Sequence, residues 1–328
     1  MFTPQTFPLA LVMMVATAFC WGSWANTFKG VKDYRFELFY WDYAVGIFLA
    51  ALVYAFTMGS TGHDASSFLN NVRGADASNI GWALLAGVIF NLANLLLVAG
   101  IDMAGLATAF PVSIGIALVV GTVLSYILQP QGSVGLLGAG VLCALAAVIL
   151  DGKAYGQLSL SGGKEISRKS IVTCVVSGVL MGLWAPFSTR AMTHGNSLGP
   201  YSITVFLTFG ALASCLVWNV YFMKKPLVGS PVAFRGFFEG PVSGHLLGLL
   251  GGAIWTTGTV FSLVAAVHTG VAISYAIGQS APMVAALWGV FAWKEFAGAN
   301  GKAKSFLAFM FIFYLLAILL VARAITAA

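Results

Sequence analysis

Asn91 and Asn94 stand three residues apart in an apolar stretch, and Thr256 and Thr259 keep the same spacing in a second stretch 165 positions later. That spacing puts both members of each pair on one helix face. In hydrocarbon such groups are costly unless a neighbouring helix, water or a ligand satisfies them, so they mark where two halves of a protein share a polar site. Uncharged amides and hydroxyls suit a neutral polar solute, and Gln279 and Ser280, just before Pro282, add one of each. Trp24, Trp184 and Trp255 lie inside apolar runs, where an indole offers a flat face and one N–H donor. Trp41 and Trp293 lie near ends and fit an interfacial belt. The competing reading for every one of these groups is structural: interhelical hydrogen bonds for the polar ones, packing for the indoles.

Asp42, in Phe39-Tyr40-Trp41-Asp42-Tyr43, is the acid placed best for ion coupling, since a protonatable group there can bind and release a proton during transport. Its alternative is a solvated interfacial carboxylate paired with Lys29 or Lys32. Asp102 and Glu295 read as caps or interface charges, and no acid or base is expected deep in a span. His63, His194, His245 and His268 lie near helix ends without clustering, so no metal site is expected. Cys20, Cys143, Cys174 and Cys215 read as small packing residues, and no cofactor is expected.

The elements that must position these groups follow from composition. With 59% hydrophobic and 8% charged residues among 328, the chain is a polytopic membrane protein. Runs long enough to cross about 30 Å of hydrocarbon fall near 8–28, 39–58, 79–101, 104–128, 132–151, 170–190, 200–222, 243–267, 270–293 and 303–323. The fold class expected is all-α, ten transmembrane helices. The net charge of +6 comes from scattered loop residues instead of a basic stripe, which argues against nucleic acid. Thirteen of the 16 Lys and Arg follow the first, fifth, seventh and ninth helices. That bias puts those loops in the cytoplasm and both termini outside a cytoplasmic (inner) membrane. No basic region precedes the first run, so a cleaved signal peptide is not expected.

Leu84, Leu85, Gly87, Ile89, Gly105 and Ala107 recur as Leu249, Leu250, Gly252, Ile254, Gly270 and Ala272, and Gly22-Ser-Trp-Ala answers Gly182-Leu-Trp-Ala 160 positions on. Five helices per repeat force the second copy to enter from the opposite side, so the halves are expected to be inverted. They divide as 1–151 and 170–328, joined by a linker at 152–169 whose Gly162-Gly163-Lys164 lacks phosphate-loop spacing. Pro111 and Pro282 fall mid-span in the fourth and ninth helices, where each frees a carbonyl and kinks the helix. The site is expected at mid-depth between helices 1, 3, 4, 6, 8 and 9.

Pro282, Gly289 and Glu295 at the end of the ninth of ten helices resemble the drug/metabolite transporter superfamily. Within it, Gly22-Ser-Trp-Ala, Trp41-Asp42-Tyr43, the loop Lys225-Pro-Leu-Val-Gly-Ser-Pro231 and Gly278-Gln-Ser-Ala-Pro-Met-Val-Ala-Ala-Leu-Trp-Gly289-Val resemble the plant ureide permeases and the bacterial glucose/ribose porters. The resemblance implies uptake of a small neutral solute by proton symport: allantoin, related ureides or nucleobases in one branch, monosaccharides in the other. Asp42 matches the acid of the ureide permeases' Leu-Asp-Tyr segment. The central loop is shorter than theirs. The partners expected are the solute, a proton and membrane lipid, with the chain a monomer or homodimer. An exporter of the same fold is a further alternative, whereas a membrane enzyme lacks the nucleophile with a base, or the metal cluster, it would need.

Overall fold

The computed structural model describes residues 1–31, 34–61, 67–104, 106–158 and 167–327; Lys32, His63, Gly105 and the Gly162-Gly163-Lys164 turn lie outside the described residues. Among the described residues, ten helices are long and apolar enough to cross a membrane: α1 Phe7–Lys29, α2 Phe36–Ser60, α3 Ala77–Ala104, α4 Leu106–Leu128, α5 Val134–Leu158, α6 Arg168–Thr193, α7 Pro200–Lys224, α8 Val242–Thr269, α9 Val271–Ala292 and α10 Gly301–Thr326. The chain is an all-helical multi-pass membrane protein, as its composition requires.

Where the helices end is set by local chemistry. Pro8 and Pro200 sit in the first turns of α1 and α7, where a missing N–H costs nothing. Asn300 caps α10 by accepting from the Ala303 N–H. Gly270, with φ of 79°, turns the chain from α8 straight into α9, a conformation that a side chain resists. Several spans are discontinuous: α7 pauses between Cys215 and Trp218, α1 restarts at Ala25 after Trp24, and α9 breaks at Gln279-Ser280 between Val271–Gly278 and Ala281–Leu287, with Pro282 in the first turn of the second piece. α5 runs to Leu158, so Asp151 lies two turns inside it and not at its end. Asp151 is 3% exposed and Asp42 8%, which corrects the expectation that no acid lies within a span.

The helices pack in a pattern that pairs the halves. α2 lies on α8 and α3 on α7, α3 and α4 both lie on α6, α8 and α9 both lie on α1, and α5 lies on α10. Each of these crossings between halves has a counterpart when helix n is exchanged for its equivalent five further on. The repeated residues make those crossings. A Cβ on Gly252 of α8 would lie 2.6 Å from the Ile47 nitrogen of α2, and one on Gly87 of α3 would lie 2.8 Å from the Ala211 nitrogen of α7. Gly46 meets Leu249, and Gly210 meets Leu84, in the same two crossings. Membrane helices gain most from close backbone approach because lipid is as apolar as their own side chains.

Candidate functional site

A cavity of about 310 Å³ opens among α1, α3, α4, α6, α8 and α9, with Phe36 of α2 at its edge. Its inner end is aromatic. Trp21 stacks on Trp255 at 6.5 Å between centroids and meets Trp184 edge-on at 5.8 Å, while Phe90 also stacks on Trp255 at 4.4 Å. Tyr275 meets Trp184 edge-on behind them. Offset and edge-to-face contacts of this kind hold rings rigidly, so the inner wall is preorganised. Trp24, one helical turn from Trp21 on α1, lines the cavity nearer its mouth and packs on Tyr43 at 4.7 Å.

Two amides supply the polar groups. Asn94 lines the cavity and donates from Nδ2 to the Tyr40 hydroxyl at 3.3 Å. Gln279 lines it at the break in α9, and among the described residues its side-chain amide has no hydrogen-bond partner. The break matters because a broken helix presents backbone and side-chain polar groups to a cavity that a continuous helix keeps to itself.

The predicted residues divide cleanly. Asn94, Gln279, Trp24, Trp184 and Trp255 line the cavity. Asn91 is fully buried and donates to Ser214 Oγ of α7 at 2.8 Å, and Thr256 is fully buried and donates to the Ile47 carbonyl of α2 at 2.9 Å. Each binds the helix crossing that its repeat neighbour, Gly87 or Gly252, also makes. Thr259 stands behind the wall and accepts from Trp21 Nε1 at 3.3 Å. Ser280 is 1% exposed, and its hydroxyl has no partner among the described residues. Trp21 is one of the lining residues that sequence reasoning missed; its spacing of three from Trp24 was the available signal.

At the mouth, Phe28, Phe36, Val98 and Asp102 are shared with a second cavity of about 310 Å³, a vestibule walled by Arg35, Glu37 and residues 226–229. Arg35 donates to both Glu37 oxygens, at 3.0 and 2.6 Å, and to the Ser230 carbonyl at 3.1 Å, tying that loop over the vestibule. The hydrogen-bonded Glu37 raises the Arg35 guanidinium above its ordinary pKa. Asp102, read from sequence as a cap or interface charge, thus lines the entrance. The cavity opens at the end of the bundle that carries Lys29, Arg35 and Lys224. There Lys29 pairs with Glu295, which also accepts from Tyr155, while Trp288 donates to Ser23 Oγ and Trp293 to Asn26 Oδ1. Of the two cations offered as partners for Asp42, Lys29 is taken by Glu295, and Lys32 lies outside the described residues. Asp42 is instead buried between α2 and α8, with Oδ2 2.7 Å from His245 Nδ1. Lys29 extends toward the opposite neighbour of α1.

The family model described as ureide permease matches residues 39–161. The chain is similar to the ureide permeases. It is 22% identical to ureide permease 1 of Arabidopsis thaliana, over 85% of this chain and 87% of that one. Ureide permease 5 of the same plant is also 22% identical, over 94% of this chain and 92% of its own. A probable ureide permease A3 of Vigna unguiculata is 31% identical, over 38% of this chain and 34% of that protein. A crystal structure superposes with a TM-score of 0.63 over 96% of this chain and 98% of its own, at 16% identity, which speaks to the fold alone.

Proposed function

We propose that the chain is a secondary transporter that carries a small neutral polar solute of the ureide or nucleobase type across the cytoplasmic membrane by alternating access. The observation that carries this reading is the composition of the cavity: two side-chain amides, Asn94 and Gln279, set among Trp21, Trp24, Trp184 and Trp255. Amides pair in both directions with the N–H and C=O edges of a cyclic urea or a base, and indoles cover its flat faces. The similarity to ureide permeases over most of the chain supports the same solute class. A monosaccharide presents a ring of hydroxyls, which two amides serve less fully.

The two halves act as inverted repeats of the drug/metabolite transporter kind, and the matched crossings at Gly87 and Gly252 support an exchange of conformation between them. The basic end is the cytoplasmic one by the distribution of Lys and Arg, so the cavity faces inward and both termini lie outside. Asp42 serves coupling to protons.

The test is uptake of labelled allantoin, uracil, glucose and ribose by cells expressing the protein, with and without an uncoupler. Saturable, uncoupler-sensitive uptake of allantoin or uracil is expected. Uptake of a sugar alone would move the chain to the porter branch, and no uptake of any would favour export.

A further inference from the structure

Asp42 and His245 lie where α2 and α8 cross, beside Gly248, whose missing side chain lets Asp42 approach α8. The site is walled by the rings of Tyr34, 5.8 Å from His245, and Phe237, 4.7 Å from it. His245 retains 25% of its side-chain surface and Asp42 11%, so water reaches the imidazole first. Two contacts connect this turn of α2 to the cavity: Tyr43 packs on Trp24, and Tyr40 accepts from Asn94.

We infer that Asp42 and His245 form one composite proton site, with His245 Nε2 as the atom that takes up the transported proton. The inference rests on the transport reading above. Empty, the pair is a carboxylate accepting from a neutral imidazole and carries one negative charge. One proton from water adds to Nε2 while Nδ1–H stays donated to Asp42, and the pair becomes neutral overall. Burying a net charge in a low dielectric is costly, so the loaded pair can pass through an occluded state that the empty pair resists. Release reverses the step on the other side.

The remaining ionisable groups on the packed elements are engaged elsewhere, add a cation or lie far off, His268 being exposed about six turns along α8 from His245. Arg35 is held by Glu37, Arg235 by Glu239 and Lys29 by Glu295, and Lys224 adds a cation at the end of α7. Tyr40, Tyr43 and Cys215 are phenols and a thiol whose ordinary pKa values lie above neutral. Burial, and secondarily the Asp42 charge, push the Tyr34 hydroxyl up to about 12, so it stays protonated beside the pair.

The experiment uses the purified chain in proteoliposomes with labelled allantoin and, in parallel, labelled uracil. Exchange at equal pH is compared with accumulation driven by a pH gradient. One proton per solute lets a gradient of one unit sustain about tenfold accumulation. Wild type should exchange and accumulate. Asp42→Asn, His245→Gln and His245→Asn should keep exchange but lose accumulation and solute-driven proton flux. Wild-type accumulation by His245→Gln would overturn the site, as would parallel loss of exchange and accumulation in all three variants. Wild-type exchange without proton flux would overturn it while leaving the transport reading intact, whereas no wild-type exchange of either solute would overturn both.

Discussion

Gly87 and Gly252, 165 residues apart, make equivalent contacts in opposite halves: Gly87 seats α3 on Leu207 and Ala211 of α7, and Gly252 seats α8 on Tyr43 and Ile47 of α2. Replacing either by valine should push the helices apart at a crossing where backbone, not a flexible side chain, fills the space. Overpacking of this kind costs about 1–3 kcal/mol. Thermal unfolding of the detergent-purified variants should show a clearly lowered midpoint for both, and a much larger drop than for valine at lipid-facing Gly138, whose surroundings are open.

Asn94 and Thr256 should separate function from stability. Asn94→Leu removes a cavity amide, and uptake should fall at least tenfold with normal amounts of protein in the membrane, by the usual penalty for an unmatched polar group on a solute. Thr256→Val loses only the hydrogen bond to Ile47 and should cost about 1 kcal/mol of stability with uptake nearly intact. Immunoblots of membranes beside initial uptake rates decide it. Near-normal uptake by Asn94→Leu would remove that residue from the site.

Trp21 contributes a ring face and, through its N–H, a bond to Thr259. Trp21→Phe keeps a ring and should raise KM a few-fold, whereas Trp21→Ala empties the inner wall and should raise KM by about tenfold, since stacking is worth about 0.5–1.5 kcal/mol beyond burial. Kinetics over a range of solute concentrations distinguish the two.

Val98 lines both the cavity and the vestibule. A Val98→Cys variant should react with a membrane-impermeant thiol reagent applied from the cytoplasmic face, and saturating solute should slow the reaction several-fold. Labelling from the outer face alone would reverse the orientation argued from the basic loops.

The ten spans were legible because length and apolar content are local properties, and the cation distribution was equally plain. The division of labour within each repeated pair was not. Asn91 and Asn94 are both apolar-flanked and share a helix face, yet one meets Ser214 and the other the cavity. In a helix that is apolar all round, periodicity does not tell which neighbour a face meets. Asp42 with His245 was hidden for another reason: the partners lie 203 positions apart, and each alone reads as a helix-end charge. The extension of α5 past Asp151 was missed because Lys153 reads as a loop cation, although its ammonium lies over the Phe306 ring of α10, 5.9 Å from the centroid.

The broken turn at Gln279-Ser280 divides α9 into two pieces held by different neighbours. Upstream, Val271–Gly278 is seated on α4 and α8, whereas the downstream piece is fastened to α1 through Trp288 and Trp293. Residues 281–293 make an arm of about 18 Å at 1.5 Å per residue. In the proposed transport cycle the break would be the pivot, and a tilt of about 10° there would carry the far end of the arm about 3 Å across the entrance.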